Sequence, residues 1–337
     1  MASGILGIDY YLPERVETND DLARENASWL MERFEVKCGI SARHIAAPDE
    51  TAGDLGWHAA RKLLDRQLVP ADEIDFLLFC TQSPDHFLPT TACILQDRLG
   101  LGKHVGALDF NLGCSGYIYG LFLAKQFVES GAARNVLLIT AETYTKFIHP
   151  RDRSVRPIFG DGAAATLIGT AENSRGLIGQ FVLGTDGAGA KNLIVPSGAA
   201  RLPRSAETAR EYTDISGCVR SRDHLFMDGM ALMNFTMDTV PGTLDALLAK
   251  EGLAKDDVDW FVYHQANRFM MKHLANASEI PWEKMVYSME DIGNTVSASI
   301  PIAMARYRDE GQIVPGQKLA LVGFGVGYSW GACVVEW

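Results

Sequence analysis

Apolar and polar residues follow two alternating patterns along the chain. Short unbroken runs of Val, Ile, Leu and Phe, such as "DFLLFC" from Asp75 and "NVLLIT" from Asn135, predict buried β-strands. Between such runs, stretches such as "GWHAARKLLDRQL" from Gly56 and "YGLFLAKQFVESG" from Tyr119 have apolar positions at helical spacing. Unbroken apolar strands that alternate with helices predict sheets covered by helices on both faces.

The same order of segments occurs twice. Four pairs of similar segments recur in one order: "GILGID" from Gly4 with "GLIGQF" from Gly176, "DEIDFLLFCTQS" from Asp72 with "DDVDWFVYHQAN" from Asp256, "LGCS" from Leu112 with "IGNT" from Ile292, and "RNVLLIT" from Arg134 with "QKLALVG" from Gln317. We therefore predict an internal duplication with an N-terminal half over residues 1–172 and a C-terminal half over residues 173–337. Two α/β sheets facing each other predict a five-layered α/β/α/β/α fold.

Composition and charge narrow the class of protein. The formal net charge of −11 argues against a general binder of nucleic acid or anionic membranes, because such binding depends on clustered Lys and Arg. The start of the chain has no basic signal-peptide region, and no apolar run approaches the ~18 residues of a membrane span. Six scattered cysteines without a CxxC pair favour free thiols over disulfides or zinc. A cytoplasmic enzyme is the expectation.

The stretch "DFNLGCSGYIYGL" raises the first candidate for chemistry. It places Cys114 between Gly113 and Gly116, where an apolar strand gives way to a helical pattern. A helix N-terminus lowers the pKa of a thiol, and the thiolate is the nucleophilic form, so we predict an ionised and reachable nucleophile. The alternative is a buried structural thiol. We keep that interpretation for the other cysteines: Cys38, Cys80, Cys93, Cys218 and Cys333.

The internal repeat links Cys114 to two residues of the second half. Cys80 corresponds to His264, and Cys114 corresponds to Asn294. If the halves pack about a pseudo-twofold axis, the loops after equivalent strands converge, and Cys114, His264 and Asn294 meet in one pocket. A neutral His264 there can donate its Nε2–H to a developing oxyanion. Each also has a plainer interpretation, since a strand-end histidine and an asparagine both occur as helix caps.

The C-terminal stretch "GFGVGYSWGA" from Gly323 places glycines at alternate positions after an apolar strand. Alternate glycines let backbone approach a ligand closely, so we expect the N–H of Val326 to form an oxyanion hole with the N–H of Cys114. The spacing is not GxGxxG and no helix with a distant acidic residue follows, which argues against a dinucleotide-binding loop.

Several motifs together resemble a known family. "GISARHIAAPDET", "CSGY", "FGDGAAA", "HQAN", "GNTVSASIP" and "GFGVGYSWGA" occur in that order over essentially the whole chain. They resemble the β-ketoacyl-acyl-carrier-protein synthase III family of thiolase-fold condensing enzymes. The resemblance implies a Cys114, His264 and Asn294 triad, an acyl-CoA that acylates the cysteine, and malonyl-acyl-carrier protein that loses CO₂ and attacks the acyl group. It implies no cofactor and no metal.

The resemblance also implies binding residues. Lys37, Arg153, Asn267 and Arg268 fall at family positions that contact CoA or the carrier protein, although an arginine is usual at the position of Lys37. Leu88 falls where one subunit of a family homodimer pushes a residue, often Phe, into the acyl pocket of its partner. The smaller leucine hints at a longer or bulkier acyl group.

Departures from the family pattern leave alternatives open. Val326 replaces the middle of a usual glycine triplet, and Tyr263 replaces a proline before "HQAN". Acyl transfer from Cys114 to an alcohol or amine in a specialised pathway, with His264 as general base, is one alternative. A type III polyketide-synthase-like condensation is another. An inactive scaffold partner is the non-enzyme alternative, although such chains usually lose the nucleophile. The insert 197–229 is rich in arginine and is interpreted either as a carrier-docking segment, together with Arg268 and Lys272, or as a solvated loop.

Overall fold

The computed structural model describes residues 2–171 and 176–337. In the first range the elements are Ser3–Tyr11 (β1), Arg15–Thr18 (β2), Asn19–Glu25 (α1), Met31–Cys38 (α2), Ala42–Ile45 (β3), Ala52–Leu64 (α3), Phe76–Cys80 (β4), Thr91–Arg98 (α4), Gly106–Phe110 (β5), Gly116–Glu129 (α5), Val136–Glu142 (β6) and Gly162–Thr170 (β7). The predicted boundary between residues 172 and 173 lies outside the described residues.

In the second range the elements are Leu177–Thr185 (β8), Leu193–Ile194 (β9), Tyr212–Thr213 (β10), Val219–Arg220 (β11), Phe226–Met227 (β12), Gly229–Glu251 (α6), Trp260–Tyr263 (β13), Arg268–Ala277 (α7), Ser299–Asp309 (α8), Lys318–Gly325 (β14) and Ser329–Glu336 (β15). Short 3₁₀ turns connect several of them, including Val296–Ala298 directly before α8.

The strands repeat one arrangement twice. Along the sheet the order is β13-β14-β15-β8-β1-β7-β6-β4-β5, and β8 joins β1 through the single pair Gly4 and Leu177. On either side of that joint, a parallel pair (β4 with β6, β13 with β14) continues into antiparallel pairs that end at β1 or β8. In the second half, Phe261 of β13 forms an isolated parallel bridge with Met285. This bridge takes the place that β5 has beside β4 in the first half. The predicted pairs of similar segments therefore occupy equivalent places.

The packing confirms the five layers. One core cluster contains Leu121 of α5 and Met304 of α8 together with Leu78 of β4 and Leu321 of β14, which places these two helices between the two half-sheets. A second cluster packs α3 and α4 on the outer face of the first half-sheet, and a third packs α6 and α7 on the outer face of the second. This is the thiolase fold that the resemblance implied.

Local capping sets where the helices near the centre begin. The Asp228 side chain accepts hydrogen bonds from the backbone N–H groups of Met230 and Ala231 and starts α6, while Gly252 at a φ of 68° ends it. Asn267 caps α7 in the same way by accepting from Met270 N at 2.9 Å. These caps fix the near ends of both outer helices beside the ends of β12 and β13.

The arginine-rich insert is joined to the fold by a buried ion pair. Arg220 in β11 is 3% exposed, and its Nε lies 2.9 Å from Asp152 Oδ2. A second carboxylate, of Asp214, lies 3.0 Å from its Nη2. The insert is therefore anchored at β11 and is not a solvated loop throughout. Within the described ranges, no helix has the length and apolar character that crossing a membrane requires.

The topology brings the functional loops to one place. β4, β6, β13 and β14 end at Cys80, Glu142, Tyr263 and Gly325. Ser297, just before α8, donates to Glu142 at the end of β6, and Gly325 lies against Cys114, just before α5, so the loops that lead into the two central helices meet between the halves.

Candidate active site

Cys114 lies between the end of β5 at Phe110 and the start of α5 at Gly116. Its side chain is only 5% exposed, and it borders a cavity of about 290 Å³ that His264 and Asn294 also line. The three predicted site residues thus share one cavity, although the sequence separates Cys114 from the other two by the whole central part of the chain.

Backbone of the β14–β15 turn approaches the thiol closely. A Cβ built on Gly325 would lie 2.8 Å from both the Cβ and the Sγ of Cys114, so a glycine is required for β14 to pass at this distance. The backbone N–H groups of Val326 and of Cys114 itself lie near the sulfur and lower the pKa of the thiol. These are the two groups that the sequence predicted as oxyanion-hole donors.

The protonation state of the thiol differs from the prediction. Burial raises the pKa of Cys114 to about 12, and the Glu142 carboxyl adds to the increase, while the N–H groups of Val326 and Cys114 lower the pKa. The expectation of an ionised sulfur at the helix start is wrong for the free protein. Desolvation outweighs the helix terminus because the side chain is almost fully buried. The thiol must therefore lose its proton during the reaction.

His264 directly follows β13 and is 2% exposed. Its Nδ1 lies 2.7 Å from Ser299 Oγ, which also accepts from Gln265 N at 3.4 Å. We assign the hydroxyl hydrogen to Nδ1, which leaves the hydrogen of the ring on Nε2. Burial lowers the pKa of His264 to about 3, so the ring is neutral at physiological pH.

Asn294 presents a second donor beside His264. Its Oδ1 accepts from Val296 N at 2.9 Å, which fixes the orientation of the amide. Its Nδ2 is then left facing His264 Nε2 at 3.4 Å. With the ring hydrogen assigned to Nε2, both nitrogens are donors, and the Asn294 amide also donates to Ala266 O at 3.5 Å. Two neutral donors therefore converge on one side of the cavity.

The rest of the cavity leads from the thiol to the surface. Its walls are largely apolar side chains: Ile158, Phe159, Leu193, Met227, Leu232, Met233, Met270 and Phe324. At the outer end lie Lys37, with Nζ 4.8 Å from the centroid of the Phe269 ring, and Asn267. A long, flexible chain with a polar end fits this shape.

Three other predicted residues do not line this cavity. Arg153 donates to the backbone oxygen of Ser216 in the turn between β10 and β11. Arg268 donates to the carbonyl oxygens of Glu35 and Val36 near the end of α2, adjacent to the mouth. Leu88 is 83% exposed and projects from the loop before α4.

Sequence reasoning missed several residues of the site. Ser299 sets the tautomer of His264, and Glu142 lies buried at the end of β6, but neither was singled out. A signal for Glu142 exists in the sequence, because a lone carboxylate directly follows the apolar run "NVLLITA". The methionines of the wall carry no such signal, since methionine at helical spacing is ordinary core composition.

The arrangement suits acyl chemistry at a thiol. One nucleophilic sulfur has two backbone N–H groups against it, and two neutral side-chain donors point into the same cavity. In residues 2–171 and 176–337, no group of three His, Cys, Asp or Glu side chains is arranged to hold a metal ion.

Comparison with family models identifies two regions of the chain. Residues 108–187 match the model described as 3-oxoacyl-[acyl-carrier-protein (ACP)] synthase III, and residues 248–337 match the model of its C-terminal part. The first match contains Cys114, and the second contains His264 and Asn294.

Whole-chain relatives agree with those models. A β-ketoacyl-[acyl-carrier-protein] synthase III of Caldanaerobacter subterraneus is 35% identical over 100% of this chain and 98% of its own length. The crystal structure of a 3-oxoacyl-(acyl-carrier-protein) synthase III superposes with a TM-score of 0.98 at 52% identity, with full coverage of both chains. A 3-oxoacyl-(acyl-carrier protein) synthase of Burkholderia xenovorans superposes with a TM-score of 0.91 at 37% identity, over 99% of this chain and 94% of its own.

Substitution of Gly325 tests the close approach of β14 to the thiol. Gly325→Ala should lower the free energy of unfolding by about 1–3 kcal/mol, as overpacking does in other cores, and should slow alkylation of Cys114 by iodoacetamide. The matched control is Gly229→Ala, because Gly229 lines the same cavity but a Cβ there meets nothing within 4 Å. Urea unfolding and intact-mass labelling measure both effects; equal results for the two variants would contradict the packing.

The neutral ring of His264 is testable by ¹⁵N NMR. The Nε2–H tautomer should persist without titration between about pH 5 and pH 8, whereas histidine in the unfolded chain gains its proton near pH 6.5. Because the pKa of the folded state is lowered, the contribution of His264 to stability is present above pH 6.5 and decreases as the pH falls. Ser299→Ala should mix the two tautomers. A ring that titrates near pH 6.5 in the folded protein would refute the assignment.

Proposed function

We propose a decarboxylating condensation at Cys114, on the premise that the chain belongs to the 3-oxoacyl-[acyl-carrier-protein] synthase III family. We propose both half-reactions for this chain because relatives named as such synthases match it over its full length. The observation that carries the proposal is the pair of neutral donors, His264 Nε2–H and Asn294 Nδ2–H, beside one buried thiol.

The first half-reaction transfers an acyl group to the protein. The Cys114 sulfur attacks the carbonyl carbon of an acyl-CoA thioester, and the N–H groups of Cys114 and Val326 stabilise the resulting oxyanion. The intermediate collapses with cleavage of the bond to the CoA sulfur. The proton of the Cys114 thiol leaves with the CoA thiol, so the products are an acyl-cysteine thioester and free CoA.

The second half-reaction forms the carbon–carbon bond. Malonyl-acyl-carrier protein loses CO₂, and the enolate oxygen that develops on its thioester accepts hydrogen bonds from His264 and Asn294. The enolate carbon attacks the acyl carbonyl, the bond to Cys114 breaks, and the cysteine thiolate takes one proton from solvent. Neutral donors suit this step because a charged histidine would hand its proton to the enolate carbon, which is the nucleophile.

The placement of the Asn294 amide beside His264, together with the lowered pKa of the ring, favours condensation over the alternative of acyl transfer. Transfer to an alcohol or amine needs a general base with a pKa near the working pH. Burial lowers the pKa of His264 to about 3, so the ring serves as a hydrogen-bond donor and is a weak base.

We assign the mouth of the cavity to the pantetheine arm of CoA or carrier protein. Lys37 and Asn267 lie at the mouth, and Arg268 lies beside it on α7. Arg153 can contact CoA only if its guanidinium leaves the backbone oxygen of Ser216. The apolar wall suits the arm between these polar residues and Cys114.

Basic side chains around the mouth form the proposed docking surface for the carrier protein. Lys37 and Lys272 are exposed, and the side chain of Arg268, at the start of α7, donates to backbone oxygens of α2. Lys272 Nζ lies 5.5 Å from the centroid of the Trp282 ring, which orients its charge. In a chain with a net charge of −11, such a local basic group is what an acidic carrier protein requires.

A homodimer completes the proposal. Phe87 is 87% exposed and Leu88 is 83% exposed, so two adjacent apolar side chains lie on the surface of one subunit. By the family resemblance, Leu88 would enter the acyl pocket of a second copy. This contact would bury both side chains, and the size of Leu88 would then limit the length or bulk of the acyl group.

Intact-mass analysis tests the reaction directly. Incubation with a panel of acyl-CoA thioesters should give one acyl adduct that Cys114→Ala abolishes, and malonyl-acyl-carrier protein should discharge it with release of CO₂. His264→Ala should still form the adduct but lose about a hundredfold or more in its discharge, as removal of an oxyanion donor typically does. Discharge by malonyl-CoA alone would favour the polyketide-synthase-like alternative. Discharge by an alcohol or amine would favour acyl transfer, and no adduct with any thioester would refute the nucleophile.

Charge reversal tests the docking surface. Lys272→Glu should raise the KM for malonyl-acyl-carrier protein about tenfold at low salt and leave the acylation rate with acyl-CoA unchanged, because Lys272 lies outside the cavity, where only the carrier protein would contact it. Lys103→Glu is the control, since Lys103 is exposed beside β5 at the opposite end of the sheet. If KM rises equally for both variants, the change in net charge explains the effect, and the proposed docking surface is refuted.

A further inference from the structure

A buried carboxyl lies beside the site and takes no part in the proposed reaction. Glu142 ends β6 and is 0% exposed. Its Oε1 accepts from Ser297 Oγ at 2.9 Å, and its Oε2 accepts from Ser83 Oγ at 3.1 Å. The backbone N–H of Gln82 donates to both oxygens, at 3.2 and 3.1 Å. This fully buried carboxyl therefore links the segments that contain Ser83, Gln82 and Ser297; we call this set of hydrogen bonds the junction.

The junction joins the two halves of the chain. Ser83 and Gln82 belong to the loop after β4, in the half that carries Cys114. Ser297 belongs to the 3₁₀ turn Val296–Ala298, in the half that carries His264 and Asn294. The hydrogen bond from Ser297 to Glu142 therefore crosses the interface between the halves within a few residues of Asn294.

The backbone beside Asn294 needs such support. Val296 has a φ of 54°, a left-handed conformation that is unfavourable for a β-branched residue and persists only where surrounding contacts impose it. Val296 N donates to Asn294 Oδ1, and this bond is what orients the amide of Asn294 toward the cavity. If the turn relaxes, the amide loses its fixed orientation.

We propose that the hydrogen bond between Ser297 and Glu142 positions Asn294 for the second half-reaction. It holds the strained turn at Val296, the turn holds the Asn294 side chain, and Asn294 Nδ2–H meets the enolate oxygen. Glu142 and Ser297 are thus positioning residues and contact no substrate. This inference rests on the proposed condensation, and it predicts that the condensing step depends on Ser297 while acylation of Cys114 does not.

Burial and hydrogen bonding have opposite effects on the charge of Glu142. Burial raises the pKa of Glu142 to about 8, the hydrogen bonds from Gln82, Ser297 and Ser83 lower it, and the charge of Asp161 raises it. The other ionisable groups around it are Cys80 on β4, Cys114 and Tyr144. The hydrogen bonds that its two oxygens accept are those of a carboxylate, so the contacts from both loops counteract the effect of burial on its charge.

Separate measurement of the two half-reactions tests the inference. With Ser297→Ala, formation of the acyl-enzyme from acyl-CoA should stay within about twofold of wild type, while discharge of a preformed acyl-enzyme by malonyl-acyl-carrier protein should slow about tenfold. The matched control is Thr295→Val in the same segment, because the buried Thr295 hydroxyl has no hydrogen-bond partner among the described residues. Thr295→Val should leave both rates within about twofold.

A double-mutant cycle decides whether Ser297 acts through Asn294. In an Asn294→Ala background, Ser297→Ala should slow the discharge no further, because the side chain that it positions is already absent. An equal loss in both half-reactions, an unchanged discharge rate, or the same loss in both backgrounds would overturn the inference. If wild type forms no acyl-enzyme or does not discharge it with malonyl-acyl-carrier protein, the proposed function fails; if wild type performs both steps, those outcomes count against the positioning role alone.

Discussion

The contact between the two halves of the chain is the constraint on which the site depends. The ends of the parallel strands of both halves meet at one place, and the central helices α5 and α8 pack between the half-sheets with apolar side chains from both. The nucleophile comes from one half and the two donors come from the other. Neither half alone contains the chemistry, so the apolar core that joins them also assembles the cavity.

Burial at that contact sets the charge of every group in the site. It raises the pKa of Cys114 to about 12, lowers the pKa of His264 to about 3 and raises the pKa of Glu142 to about 8. The same desolvation thus keeps the thiol and the imidazole neutral at physiological pH and opposes ionisation of the carboxyl. An enclosed site strengthens the hydrogen bonds of its donors when negative charge appears on the substrate during the reaction.

The conformation of the backbone also positions the reacting groups of the site. Gly325 lets β14 pass beside the Cys114 sulfur, and the unusual φ of Val296 turns the chain so that the Asn294 amide faces the cavity. Both features arise where the two halves meet. They place donors by backbone geometry, which is more rigid than a long side chain.

The sequence by itself determined the order of elements, the duplication, the five layers and the three residues that meet in the cavity. It could do so because apolar periodicity is a local property of the chain, and repeated segments are found by comparing one stretch of sequence with another. Only the tertiary structure decided the protonation of Cys114, the partnership of Ser299 with His264, the junction at Glu142, and which of the basic residues reach the mouth. Those depend on burial and on contacts between residues far apart in sequence, and desolvation exists only once both halves have packed together.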